Sequence, residues 1–91
     1  MATAAIQFKV MPESLETNLE ELKSQIKSKI ELFESGVFNS AEEKPIAFGL
    51  KALIITMALS EDEEADSVEN KIKEIPGISS VELIDYRRAI G

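Results

Sequence analysis

The stretch Leu53-Ile54-Ile55-Thr56-Met57-Ala58-Leu59 constrains this chain more than any other. An apolar run that short, rich in Leu and Ile and bounded by polar residues, reads as a strand buried at the middle of a sheet. Leu53, Ile55, Met57 and Leu59 fall on one face; Ala52, Ile54, Thr56 and Ala58 fall on the other, which is small and mildly apolar. The run is entered through Pro45-Ile46-Ala47-Phe48-Gly49-Leu50-Lys51, where a Phe-Gly step puts a large aromatic at a turn. On pattern alone, Phe48 reads as a core residue of an ordinary hairpin.

The other apolar residues arrange themselves around that strand. Ile6, Phe8 and Val10 alternate with Gln7 and Lys9, giving a first strand that Met11-Pro12 ends. Leu15, Leu19, Leu22, Ile26, Ile30 and Phe33 recur at spacings of four, three, four, four and three, one face of an amphipathic helix. Thr17 with Glu20 has the form of a capping box, so the helix is predicted to begin near Thr17 and to have stopped by Gly36. Val37 to Ala47 is predicted as a loop and then a short edge strand, since Pro45 cannot donate to a ladder. After the central strand, Ser60 with Glu63 again has the capping-box form, and the acidic run Glu61 to Glu64 suits the positive end of a helix dipole. Ala65, Val68, Ile72 and Ile75 give the second helix its buried stripe, which Pro76-Gly77 stops. In a last strand from Ile78, Val81 and Leu83 alternate with Ser80 and Glu82 until the pattern breaks at Ile84-Asp85-Tyr86. The order predicts a ferredoxin-like α+β sandwich, βαββαβ, in which both helices cover one face of a four-stranded antiparallel sheet. At 91 residues the expectation is one domain, 1–91.

A fold of this kind hosts unrelated activities, so function has to come from sites. The sequence holds no Cys and no His, which removes disulfides, thiolate nucleophiles, the usual metal ligand and the usual general base. A formal net charge of -7 argues against nucleic acid or an anionic membrane as the main partner and suits a basic partner surface. No apolar run approaches the roughly 20 residues a bilayer needs. Met1-Ala2-Thr3-Ala4-Ala5 lacks the basic region of a signal peptide, so a cytoplasmic location is expected. Gly36, Gly49, Gly77 and Gly91 stand singly, with no phosphate loop among them. Phe8 reads as inward and the central strand carries no aromatic, so RNA stacking is not expected. The carboxylates of Glu42-Glu43 and Glu61 to Glu64 read as solvated, without an acid–base pair. What remains is unusual placement: Phe48 at a turn, and Arg87-Arg88 at the end of a strand in an acidic chain.

Four segments in register then carry a likeness. Phe8-Lys9-Val10-Met11-Pro12-Glu13-Ser14, Glu16-Thr17-Asn18-Leu19-Glu20-Glu21-Leu22, Pro45 to Leu53, and Val81 to Ala89 closely resemble archaeal elongation factor 1-beta and the C-terminal exchange domain of its eukaryotic counterpart. The resemblance implies the ferredoxin-like fold and a guanine nucleotide exchange factor that promotes GDP release from, and GTP loading of, elongation factor 1-alpha. It implies no bond chemistry, cofactor, metal or bound nucleotide of the factor's own, and a monomer when free. In that family an aromatic in the Phe-Gly turn docks on the second domain of the GTPase, the place held here by Phe48 beside Gly49. Lys51 corresponds to the first basic residue after the turn, with Ala52 where the eukaryotic pattern has a second. A eukaryotic C-terminal Lys that intrudes near the magnesium and phosphates corresponds to Arg88, with Arg87 the near alternative, and Ala89-Ile90-Gly91 extends further than the eukaryotic tail. On this resemblance Phe48 is expected to be at least partly exposed at the end of the sheet, against the reading from pattern alone. The alternative function is a ferredoxin-like ligand-sensing or protein-interaction module without exchange activity.

Overall fold

Burial follows the alternation of the first strand. Ala4, Ile6, Phe8 and Val10 are each at most 1% exposed, and across the sheet Ile6 faces Met57, Phe8 faces Ile55 and Val10 faces Leu53. Residues paired this way share a face of the sheet, so two strands present one continuous apolar surface. Leu22, Ile26 and Ile30 of one helix and Val68 and Ile72 of the other close over it.

The computed structural model describes residues 2–88, in the order β1 (Thr3–Pro12), α1 (Leu19–Glu31), β2 (Val37–Pro45), β3 (Lys51–Ser60), α2 (Ala65–Lys73) and β4 (Ile78–Arg88). A short 3-10 turn, Ala47–Gly49, joins β2 to β3. The sheet runs β2-β3-β1-β4 with every pair antiparallel, the predicted ferredoxin-like sandwich with β1 and β3 at its centre. The predicted tail residues Ala89-Ile90-Gly91 lie outside the described residues.

Several local expectations are corrected. Val37 to Pro45 forms one nine-residue edge strand with no preceding loop. Its apolar period is hidden because Asn39 is an extra residue between the Phe38–Met57 and Ser40–Thr56 pairs, which shifts the residues after it by one. The same device explains the break at Ile84: β4 continues to Arg88, with Ile84 as the extra residue between Leu83, opposite Phe8, and Asp85, opposite Gln7.

Neither capping box forms. Asn18 caps α1 by accepting from the Glu21 backbone N–H, while Thr17 turns its hydroxyl back to the Ser14 N–H. The second helix starts at Ala65 without a side-chain cap, and Ser60 accepts from the Asp62 N–H instead. Leu15 therefore lies ahead of α1 and is exposed, outside the helix's buried stripe.

Gly36 marks the exit from α1, where the chain passes so close to the preceding turn that an added Cβ would collide with the backbone carbonyl of Ile30. Gly36→Ala is expected to destabilise the fold by about 1–3 kcal/mol, because backbone must shift to admit one methyl group. A urea midpoint unchanged from wild type would contradict that packing.

Candidate functional site

The β2–β3 connection is short and tightly bonded. Pro45 pairs with Lys51 at the strand ends, the Ile46 N–H donates to the Leu50 carbonyl at 2.8 Å, and the Leu50 N–H donates to Ala47 at 3.3 Å. The connection holds left-handed backbone at two consecutive positions, Phe48 at φ 62° and Gly49 at φ 78°. Glycine takes that conformation freely. For Phe48, the only non-glycine with positive φ among the described residues, it costs roughly 1–2 kcal/mol. The side chain recovers none of it inside the fold, since Phe48 is 93% exposed. The pattern-based reading of a core Phe is thus overturned by turn geometry: a left-handed residue at the hairpin tip carries its Cβ away from the sheet.

Lys51 stands at the base of this turn. Its Nζ lies 3.6 Å from Glu43, whose other carboxylate oxygen accepts from Lys23 of α1 at 2.9 Å; Lys23 also reaches Glu20 at 3.1 Å. The network ties the tip to the helix layer. The Lys23 hydrogen bond and charge, with a smaller contribution from Lys51, hold the Glu43 carboxyl below its ordinary value of 4.5. Glu43 first, and then Glu20, hold the Lys23 ammonium above 10.5.

The arginine pair lies elsewhere. Arg88 is opposite Ala4, on the helix-covered face, and Arg87 is opposite Ala5, on the open face, so two sequence neighbours point to opposite sides. Arg88 Nε contacts Glu61 at 2.8 Å and Arg87 Nε contacts Asp85 at 3.1 Å, while both arginine side chains remain largely exposed. Arg88 reaches the sheet level of Leu59 through Ala4. From there to Lys51 is a run of β3 spanning roughly 27 Å at about 3.4 Å per residue. In a body 41 Å long, Phe48, Gly49 and Lys51 cluster at one pole while Arg87 and Arg88 sit at the other. One apolar residue absent from the sequence-based site belongs to the first pole: Leu15 lines an open hollow with Phe48 and Leu50. Its helical spacing concealed it, because the fourfold step to Leu19 crosses the Asn18 cap.

The sequence pattern of the EF-1 guanine nucleotide exchange domain matches residues 5–88. The protein named elongation factor 1-beta of Methanosarcina acetivorans is 37% identical over 89 residues, covering 97% of this chain and 99% of that protein. Elongation factor 1-beta of Aeropyrum pernix is 41% identical over 91 residues, covering 97% and 98%. Among solved structures, the ACT domain from the GTP pyrophosphokinase of Chlorobium tepidum superposes with a TM-score of 0.61 at 14% identity, over 88% of this chain and 96% of that one. At that identity it bears on the fold alone.

Two outcomes test this geometry in the free protein. Phe48→Gly relieves left-handed strain without opening a cavity, so it is expected to leave stability unchanged or raise it by up to about 1 kcal/mol. A core Phe would instead cost about 3–5 kcal/mol on truncation, and urea titration separates the two. For Glu43, the depressed carboxyl contributes stability above its unfolded value, lost as pH falls through the lower folded one. The raised Lys23 contributes below its unfolded value, lost as pH rises through the higher folded one. Glu43→Gln should flatten both limbs of the stability–pH profile, below about 4.5 and above about 10.5.

Proposed function

This chain belongs to the family of EF-1 guanine nucleotide exchange domains, and we propose that it promotes GDP release from, and GTP loading of, translation elongation factor 1-alpha. The carrying observation is Phe48, a strained and almost fully exposed aromatic on a hydrogen-bonded hairpin tip. It has no partner inside the fold, and burying it against another protein contributes about 1.5–3 kcal/mol. The strain is already present in the free state, so docking does not incur it again.

In this reading the sandwich is a rigid wedge that touches the GTPase at two places. Phe48, with Gly49 shaping the turn and Lys51 beside it, anchors one domain. Arg88, or Arg87 on the opposite face, brings a guanidinium toward the magnesium and phosphates of the bound nucleotide. A cation there competes with the metal for oxygen ligands, and GDP is held less tightly once its phosphates lose that neutralisation. By linkage, the factor binds the GDP-loaded GTPase more weakly in the same ratio by which it weakens GDP. The chain makes and breaks no bond, uses no cofactor or metal of its own, contacts neither nucleic acid nor membrane, and acts as a monomeric single domain in the cytoplasm. No described helix is long and apolar enough to cross a membrane.

Stopped-flow release of a labelled GDP analogue is the test. Phe48→Ala is expected to raise the half-saturating factor concentration about 10- to 100-fold, and Arg88→Ala to lower the maximal release rate. Across roughly 27 Å the two effects should be independent, so the double variant shows their product. Arg87→Ala, run in parallel, assigns the cation. Failure of the wild-type chain to accelerate release would sink the proposal; unchanged Phe48 and arginine variants would sink the site assignment.

A further inference from the structure

Phe48 is not alone at its pole. Leu15, in the β1–α1 connection, is 67% exposed, and with Phe48 and Leu50 it walls an open hollow of about 460 Å3 completed by Glu13, Ser14 and Glu16. This connection is held in place. Ser14 Oγ accepts from the Glu16 N–H at 3.2 Å, Thr17 Oγ1 accepts from the Ser14 N–H at 3.3 Å, and the Glu13 N–H donates to the Gly77 carbonyl at 2.9 Å. A Cβ built on Gly49 would meet Leu15 Cδ2 at 3.5 Å, so the two connections are in contact range.

The rim adds a sign. Glu13 and Glu16 are exposed, and neither forms an ion pair among the described residues. Lys51, the cation nearest in sequence to the tip, is directed to Glu43. Apolar walls with two unpaired carboxylates complement an apolar side chain flanked by cations and disfavour an acidic one.

We infer that Leu15, Leu50 and Phe48 form one docking surface, and that it receives an apolar side chain flanked by Lys or Arg on the elongation GTPase. The inference rests on the exchange reading and extends it to a second segment of the chain. Burial of Leu15 slows dissociation alongside Phe48, while Glu13 and Glu16 steer the encounter.

The experiment titrates GDP release against factor concentration and follows association at several ionic strengths. Leu15→Ala should raise the half-saturating concentration roughly tenfold at an unchanged maximal rate. Its urea midpoint should match wild type, because the side chain is already exposed. Combined with Phe48→Ala, its effect should depart from the simple product, as expected of neighbours. Reversing both carboxylates, Glu13→Lys with Glu16→Lys, should slow association and weaken its slowing by salt. A Leu15→Ala titration identical to wild type overturns the docking surface while wild-type activity keeps the exchange reading standing. Unchanged association after charge reversal overturns the basic partner. A wild-type chain that does not accelerate release overturns the exchange reading and this inference together.

Discussion

Phe8 and Ile55 face each other across the two central strands, fully buried beneath two helices, and the rest of the molecule depends on that contact. It lies midway along β1 and β3, so the register on either side follows from it. A slip of one residue would turn every apolar side chain of a strand to the wrong face. Because β1 and β3 cannot slip, the connections at their ends are fixed in position as well. The tip carrying Phe48 leads directly into β3 and is closed by its own backbone hydrogen bonds.

That fixed register gives meaning to exposure. An exposed apolar side chain on a loose loop is common and needs no account. Phe48 is different, since it combines exposure with a backbone conformation that disfavours it and a closed hydrogen-bonded turn beneath it. The network from Lys51 through Glu43 to Lys23 braces the same turn against α1. The opposite pole is built in another way, by polar ties: Ser35 Oγ accepts from the Ser60 N–H and donates to Glu63, while Glu61 meets Arg88. The two ends of one sheet therefore differ, an exposed apolar cluster with a carboxylate rim at one and ion pairs and hydroxyl ties at the other, as the proposed two-point engagement would need.

Much of this was legible in the sequence. The buried faces of β1 and β3 and the stripes of both helices follow from apolar spacing, which burial rewards directly. The edge strand expected within Val37 to Ala47 starts earlier than the pattern shows, at Val37, because an edge strand buries little and the extra Asn39 breaks the short period that remains. At the start of α1, Thr17 and Asn18 are both competent caps, and only the path of the incoming chain decides between them. The same choice decides whether Leu15 lies within the helix or ahead of it. Phe48's exposure was visible in the family likeness alone, since apolar pattern cannot register a left-handed residue. That Arg87 and Arg88 diverge is a matter of strand alternation, obscured until β4 proved to run on past Ile84.

Asn39 and Ile84, and likewise Ser79, an extra residue between Ile78 opposite Pro12 and Ser80 opposite Met11, all lie on β2 and β4, the two outer strands, while β1 and β3 pair without interruption. An outer strand offers its unpaired amides as a template to any other extended chain. Here that template is irregular on both sides: β2 carries a bulge and closes on Lys44-Pro45, and β4 carries two bulges before Arg87-Arg88. A flat neighbouring strand cannot follow such a border for long, so the irregularities that obscured the sequence pattern also protect the protein from stacking edge to edge into aggregates.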